Sequence, residues 1–263
     1  MFYHTTDEEN AAIVVLTPSE SKRLISKAVI AMPELSASLK NGRVVVIGGT
    51  TNAFIAEELI RRPLDRYWFA AGRTAFGELG ANEEERRLPP VILIDGEESN
   101  IHLDDVLRDF TSDDVYIKGA NAVDLDGNAG VLVASPVGGT IGTAIGILQA
   151  RGSNLIIPVG LEKLVPSVAQ AAAACGQGKF TKAMGLPVGM IPIVGAKVVT
   201  EIQAIEILFW EEDVVASHVA SGGIAGSEGA VVIAVEGAKE SVEKVFDYIT
   251  TLKGEAPISP EVD

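Results

Sequence analysis

Only one cysteine, Cys175, occurs in the 263 residues, which excludes an intrachain disulfide and every thiolate-cluster metal site. Basic charge is also short: 21 Lys and Arg stand against 36 Asp and Glu, a formal net charge of −15. A chain this acidic has no broad cationic face with which to displace counterions from nucleic acid or an anionic membrane, so neither is expected as a partner. Histidine is sparse, and His4, His102 and His218 lack the spacing of an HExxH-type site, so no bound metal is expected. No apolar run approaches the roughly 18 residues that a membrane span needs. Met1 to Asn10 is acidic and without a signal-peptide apolar region, which points to a cytoplasmic protein. Repeats of 20 to 50 residues and low-complexity tracts are absent too, which removes solenoids and disordered scaffolds.

What the chain does contain is ordinary globular composition, 47% hydrophobic and 22% charged, and one stretch around which the rest is organised. Val44-Val45-Val46-Ile47 is four β-branched residues in a row, as a strand covered on both faces requires. It breaks at Gly48-Gly49 and runs into a helix through Thr50, Thr51 and Asn52. Paired glycines leave backbone N–H groups uncovered, and a helix N-terminus favours an anion, so phosphate or carboxylate is the expected ligand. A plain strand-to-helix turn is the alternative reading. Neither GxGxxG nor GxxxxGK[ST] is matched, which leaves a dinucleotide fingerprint and a P-loop unsupported, and the sequence names no cofactor.

A second informative stretch runs from Asp114 to Gly142. Val115-Tyr116-Ile117 is a strand, and Lys118, Gly119, Asn121 and Asp124 follow its carboxyl end, where ligands bind in open α/β sheets. Asp126-Gly127-Asn128 is a turn, Ala129 to Ala134 a second strand, and Gly138-Gly139-Thr140 repeats the donor chemistry of Gly48-Gly49-Thr50 at the start of another helix. The two glycine loops are expected to face one pocket.

Elsewhere the patterns are structural. Thr17-Pro18-Ser19-Glu20 and Thr200-Glu201-Ile202-Gln203 are capping boxes that open helices. Tyr67 to Ala71 and Val91 to Ile94 read as strands, Ile101 to Phe110 as a short helix, and Asn82 to Arg87 as a solvated charge run. Arg73 reads as an exposed loop arginine, with reach toward an anion as the alternative, and Cys175 as a small buried apolar residue. The Gly-rich loop Ser221 to Gly229 reads as a hairpin between strands, and the segment beyond Gly254 as frayed. The expected fold is α/β: a mainly parallel, Rossmann-like sheet with helices on both faces over 1–192, and a smaller ferredoxin-like α+β lobe with an acidic tail over 193–263. Apolar faces on both lobes suit a homo-oligomer.

The order of these pieces resembles the ribose-5-phosphate isomerase, glucosamine-6-phosphate deaminase and CoA-transferase superfamily. Ile47-Gly48-Gly49-Thr50-Thr51 is similar to the isomerase GTGST loop, Lys118-Gly119-Ala120-Asn121-Ala122 to its DGADE, and Val137-Gly138-Gly139-Thr140 to its KGGG. Asn154 to Val165 resembles the next strand with its lysine, and Leu186 to Pro192 the LPVEVIP segment, so the likeness spans roughly Leu16 to Pro192. The resemblance implies a sugar-phosphate-type pocket, but the family's carboxylates are replaced here by Lys118, Asn121 and Ala122, and its KGGG lysine by Val137. An amide cannot act as general base near neutral pH, so the pentose-phosphate isomerisation is not expected. Lys118 and Asp124 remain as acid and base candidates for another reaction. Two functions stay open: an enzyme or enzyme-like protein that binds a small anionic metabolite, and a non-catalytic ligand sensor or assembly protein on the same fold.

Overall fold

The computed structural model describes residues 9–260. His4 and the tail 261–263 lie outside the described residues. In chain order the elements are β1 (Glu9–Leu16), α1 (Pro18–Ala31), α2 (Pro33–Asn41), β2 (Arg43–Val46), α3 (Thr50–Ile60), β3 (Gly72–Ala75), β4 (Glu78–Ala81), β5 (Val91–Ile94), β6 (Glu97–Glu98) and α4 (Leu103–Arg108). There follow β7 (Val115–Ile117), β8 (Ala122–Val123), β9 (Ala129–Val133), α5 (Gly139–Arg151), β10 (Asn154–Pro158), α6 (Val168–Ala174), β11 (Gly189–Ile193), β12 (Lys197–Val199), α7 (Glu201–Leu208), β13 (Val214–Gly222), β14 (Ala230–Ala238) and α8 (Lys239–Thr251). The protein is a mixed α/β structure built on a mixed six-stranded sheet in the order β12-β10-β7-β2-β5-β6.

Alternation along the central strands divides two cores. Val44 and Val46 of β2 pack with α1 and α3 residues such as Leu24, Ile25 and Ile55, whereas Val45 and Ile47 pack with Val106 and Leu107 of α4 and Ile141, Ala144 and Leu148 of α5. Neighbouring β7 splits the same way, with Val115 and Ile117 on one face and Tyr116 on the other. A strand buried on both faces tolerates only such an unbroken apolar run. Both expected capping boxes form, at Thr17 with Glu20 and at Thr200 with Gln203.

The sheet departs from a parallel arrangement at β5, which runs antiparallel to β2, while β7, β10 and β12 are parallel. The cause is the excursion between α3 and β5. Residues 61–90 return to the carboxyl end of β2, where Val91 pairs with Val46, so the chain must enter the sheet from that end. Tyr67 to Ala71 is not a strand: Asp65 Oδ1 accepts from the N–H groups of Tyr67 and Trp68, both at 3.0 Å. Buried Asn82 donates to the carbonyls of Tyr67 and Ala70 at 2.7 and 2.8 Å. With those groups taken, the strand starts only at Gly72 and folds back through Phe76-Gly77 (φ 57° and 78°) into β4, the positive-φ pair of a tight hairpin.

A cut at residue 192 does not separate the sheets. β1 joins β14 and β13 in a three-stranded antiparallel sheet, β11 pairs with β9 beside β8, and β12 belongs to the six-stranded sheet. β1 takes the place beside β14 because Val14 and Leu16 turn inward while Ile13 and Val15 face out. Ser221 to Gly229 joins β13 to β14 as an antiparallel hairpin. The segment after Gly254 is held rather than frayed at Glu255, whose carboxylate receives Arg23 Nε at 2.8 Å and Arg66 Nη1 at 2.7 Å. Both guanidinium groups also lie over the Phe54 ring, at 4.7 and 4.0 Å, a favourable placement of cation on aromatic face. Cys175 is half-buried at the end of α6 rather than enclosed.

Candidate ligand-binding site

A cavity of about 610 Å³ opens at the carboxyl ends of β2 and β7, a size suited to a small-molecule ligand. Gly48, Gly49, Thr50 and Thr51 line it together with Lys118, Gly119 and Asn121 and with Gly138, Gly139 and Thr140. The two glycine loops therefore face one space, as their sequence suggests. Neither α3 nor α5 has a side-chain cap, so the first N–H groups of both helices are left for solvent or a ligand.

The two glycine pairs differ in why they are glycine. A Cβ on Gly48 would lie 2.4 Å from the Phe69 carbonyl oxygen, so the excursion loop presses directly on this turn. Gly49 is extended at φ 172° and a Cβ there meets nothing nearer than Asn52 at 3.8 Å, so no backbone strain attaches to its replacement. Gly138 and Gly139 have φ of 80° and 60°, which side-chain-bearing residues adopt at a cost.

Two sequence candidates stand elsewhere. Asn52 is fully buried and stitches the sheet, its Nδ2 donating to the carbonyls of Ile47 at 2.7 Å and Ile117 at 3.2 Å. Asp124 accepts four hydrogen bonds, from Asp126 N–H, Asn128 N–H, Asn128 Nδ2 and Val168 N–H. Burial alone would raise its pKa, but these donors outweigh it and hold Asp124 below the usual carboxylate range. An aspartate so engaged fixes the β8–β9 turn to the start of α6, and it does not line the cavity. Asn121 does line it, with Oδ1 receiving the Leu132 N–H at 3.0 Å.

Three further cations complete the site: Arg87, read from the sequence as part of a solvated run, Arg73, for which reach toward an anion is the alternative reading, and Lys163, in the stretch that resembles the family's lysine-bearing strand. Arg73 on β3, Arg87 after β4 and Lys163 after β10 line the cavity with Lys118, against a single carboxylate among the described residues, Glu84. Arg73 is not an exposed loop residue: its Nε and Nη1, and Nε of Arg87, are buried without hydrogen-bond partners. Its guanidinium lies against Gly80, where any Cβ would come within 3.2 Å of Cζ. A buried unpaired donor on a charged group is costly, and these three point to an acceptor-rich ligand. Burial and the charge of Lys163 push the Lys118 ammonium down to about 8. Burial likewise lowers Lys163, against the raising effect of Glu162, whose Oε1 is 3.9 Å away.

A second, apolar cavity of about 300 Å³ adjoins, sharing Thr74, Leu79, Leu186 and Val188 with the first. The shared wall is a backbone clasp in which Leu79 N–H donates to the Met184 carbonyl at 3.1 Å and Leu186 N–H to the Leu79 carbonyl at 2.8 Å. Among the described residues, no helix is long and apolar enough to cross a membrane, and no group of three or more His, Cys, Asp or Glu could hold a metal ion. Comparison with protein families, with curated proteins and with solved structures finds no match.

Proposed function

We propose that the protein binds a small phosphorylated or carboxylated metabolite in the larger cavity and acts on it as an enzyme or enzyme-like protein. The observation that carries this reading is a cluster of four cations in a chain of net charge −15, two of them arginines with buried donors left unpaired. Arginine forks suit phosphate or carboxylate oxygens, and the open N–H groups of α3 and α5 add donors on two further sides. The likeness to the ribose-5-phosphate isomerase, deaminase and CoA-transferase superfamily belongs to the same proposal, supported by the order of the two glycine loops around one cavity. A ferredoxin-like description of the lobe over 193–263, and a homo-oligomer formed through the outward apolar residues Ile13, Val15 and Val215, are proposed with it.

The second reading, a non-catalytic sensor on the same fold, is favoured by one observation: among the described residues Glu84 is the only carboxylate on the cavity wall, so no second acid is placed there for proton transfer between carbons. A thermal-shift screen of phosphosugars, carboxylates, CoA esters and nucleotides tests the binding claim. A ligand at about a hundred times its Kd raises stability by roughly 2.7 kcal/mol. Stabilisation by phosphorylated or carboxylated compounds is expected. No response to any of them, at concentrations up to the millimolar range, refutes the reading, whereas binding without turnover selects the sensor.

A further inference from the structure

Lys118 follows β7 directly and lines the cavity, where its Nζ donates to the Gly119 carbonyl at 3.0 Å. No carboxylate is paired with it among the described residues. The other charged groups on the cavity wall are Arg73 from the β3–β4 hairpin, Glu84 and Arg87 from the connection to β5, and Lys163 from the turn after β10. Arginine stays protonated at any working pH, so Arg73 and Arg87 can only bind charge. Lys163 has Glu162 within 3.9 Å to sustain its ammonium. Of the two titratable cations, Lys118 is therefore the one without a neighbouring carboxylate among the described residues, and it stands where the anion-binding groups would present a ligand.

We propose that Lys118 is a nucleophile that forms an imine with the carbonyl group of a small aldehyde or ketone bearing a phosphate or carboxylate. The proposal rests on the anion-binding reading of the cavity and adds the functional group that Lys118 meets. Its nitrogen lone pair attacks the carbonyl carbon, a C–N bond forms, and the π electrons move to oxygen, which takes a proton. The carbinolamine then expels that oxygen as water while nitrogen forms the C=N bond. Both N–H protons of the neutral amine leave with the carbonyl oxygen, so amine and carbonyl give imine and one water, with no oxidant or reductant. The amine must be unprotonated to begin, and burial together with the neighbouring ammonium of Lys163 favours that form near neutrality, the arrangement by which lysine nucleophiles are activated.

The test is reductive trapping of the full chain with cyanoborohydride and three probes: glyoxylate, glycolaldehyde phosphate and uncharged glycolaldehyde, followed by peptide mass spectrometry. Lys118 is expected to be labelled about tenfold or more faster than any other lysine by the two anionic probes, with a rate that rises through a midpoint near 8 and that inorganic phosphate suppresses. Lys163→Met removes the neighbouring charge and should move the midpoint upward. Lys118→Arg keeps the charge, so it should abolish labelling at this position yet retain phosphate binding by calorimetry. The wild-type labelling map stands by itself if that variant does not fold. Labelling spread evenly over surface lysines, or no preference for the anionic probes, overturns the imine. If phosphate still binds in that case the anion site survives, and if phosphate does not bind both readings fall.

Discussion

A lysine held for chemistry should cost stability, and Lys118→Met measures that cost. The Lys118 pKa falls from 10.5 to about 8 on folding. At about 1.36 kcal/mol per unit this penalises the folded, charged state by about 3 kcal/mol. Methionine fills a similar volume without the charge but forfeits the hydrogen bond to the Gly119 carbonyl, worth about 1 kcal/mol. The variant should therefore be more stable than the wild type at pH 7 by about 2 kcal/mol, or roughly 5 °C in Tm for a chain of this size. The gain has a pH signature. Between pH 8 and 10.5 the unfolded chain holds a proton at Lys118 that the folded chain has released, so wild-type stability rises with pH there. The advantage of methionine shrinks across that window and is gone above it. Urea unfolding of both proteins from pH 7 to 10.5, in phosphate-free buffer, isolates the effect because every other lysine and tyrosine is common to the pair. A variant no more stable than the wild type at pH 7, or an advantage that does not change with pH, refutes the reasoning.

Arg73→Met and Arg87→Met should each weaken phosphate binding by about tenfold or more, the loss of a charge-assisted hydrogen bond, and calorimetry showing unchanged affinity would place the anion elsewhere. Gly48→Ala should lose roughly 1–3 kcal/mol to overpacking against the Phe69 carbonyl, while Gly49→Ala leaves urea stability unchanged and Gly49→Val obstructs the anion without unfolding the protein; equal stability of the two alanine variants contradicts this. Glu201 is fully buried, accepts the Leu161 N–H at 2.9 Å, and has its pKa raised by burial and by the Glu162 carboxylate. Its raised pKa makes stability fall as pH climbs above 4.5, so Glu201→Gln should stabilise at pH 7 and gain nothing at pH 4, and denaturation curves showing the same gain at both would count against it. Purified protein should not interconvert ribose 5-phosphate and ribulose 5-phosphate, and turnover on the order of 1 to 1,000 per second would contradict the argument from Asn121 and Ala122.

The parts legible in the sequence are those fixed by local physics. Val44 to Ile47 announces a doubly covered strand because every residue is apolar and β-branched, and Thr17 and Thr200 announce helix starts because capping needs only three residues of context. The glycine loops are legible for the same reason. Arg87 is not legible, and Arg73 shows its reach toward an anion only as an alternative, because their meaning depends on residues far along the chain: Arg87 sits inside Glu83-Glu84-Glu85-Arg86-Arg87, whose composition is that of a solvated face. Its neighbour Arg86 does face outward, over the Trp68 ring at 3.9 Å. Arg87, one residue on, lines the cavity, and no local pattern encodes that difference. Asp124 erred in the opposite sense. Asp-Leu-Asp-Gly-Asn is a turn sequence whose first carboxylate serves its own backbone, a signal present in the residues but outweighed by their position after a strand.

The antiparallel entry of β5 links the fold to the chemistry. Were β5 parallel to β2, residues 61–90 would have to end at the amino end of β2 and would carry Arg73 and Arg87 away from the glycine loops. Returning to the carboxyl end instead lays the β3–β4 hairpin over the cavity, pins it with Asn82 and the Leu79–Leu186 clasp, and adds two fixed positive charges to a pocket that otherwise holds two titratable lysines. The outer surface remains strongly acidic. At about 0.1 M salt its field fades over roughly 10 Å, so an extended polyanion meets repulsion along its length while a small anion inside the cavity meets mainly the four cations that line it. On the proposed reading, net charge and local charge would select by size, disfavouring an extended polyanion while admitting a small anion to a cavity whose four cations come from a total of only 21.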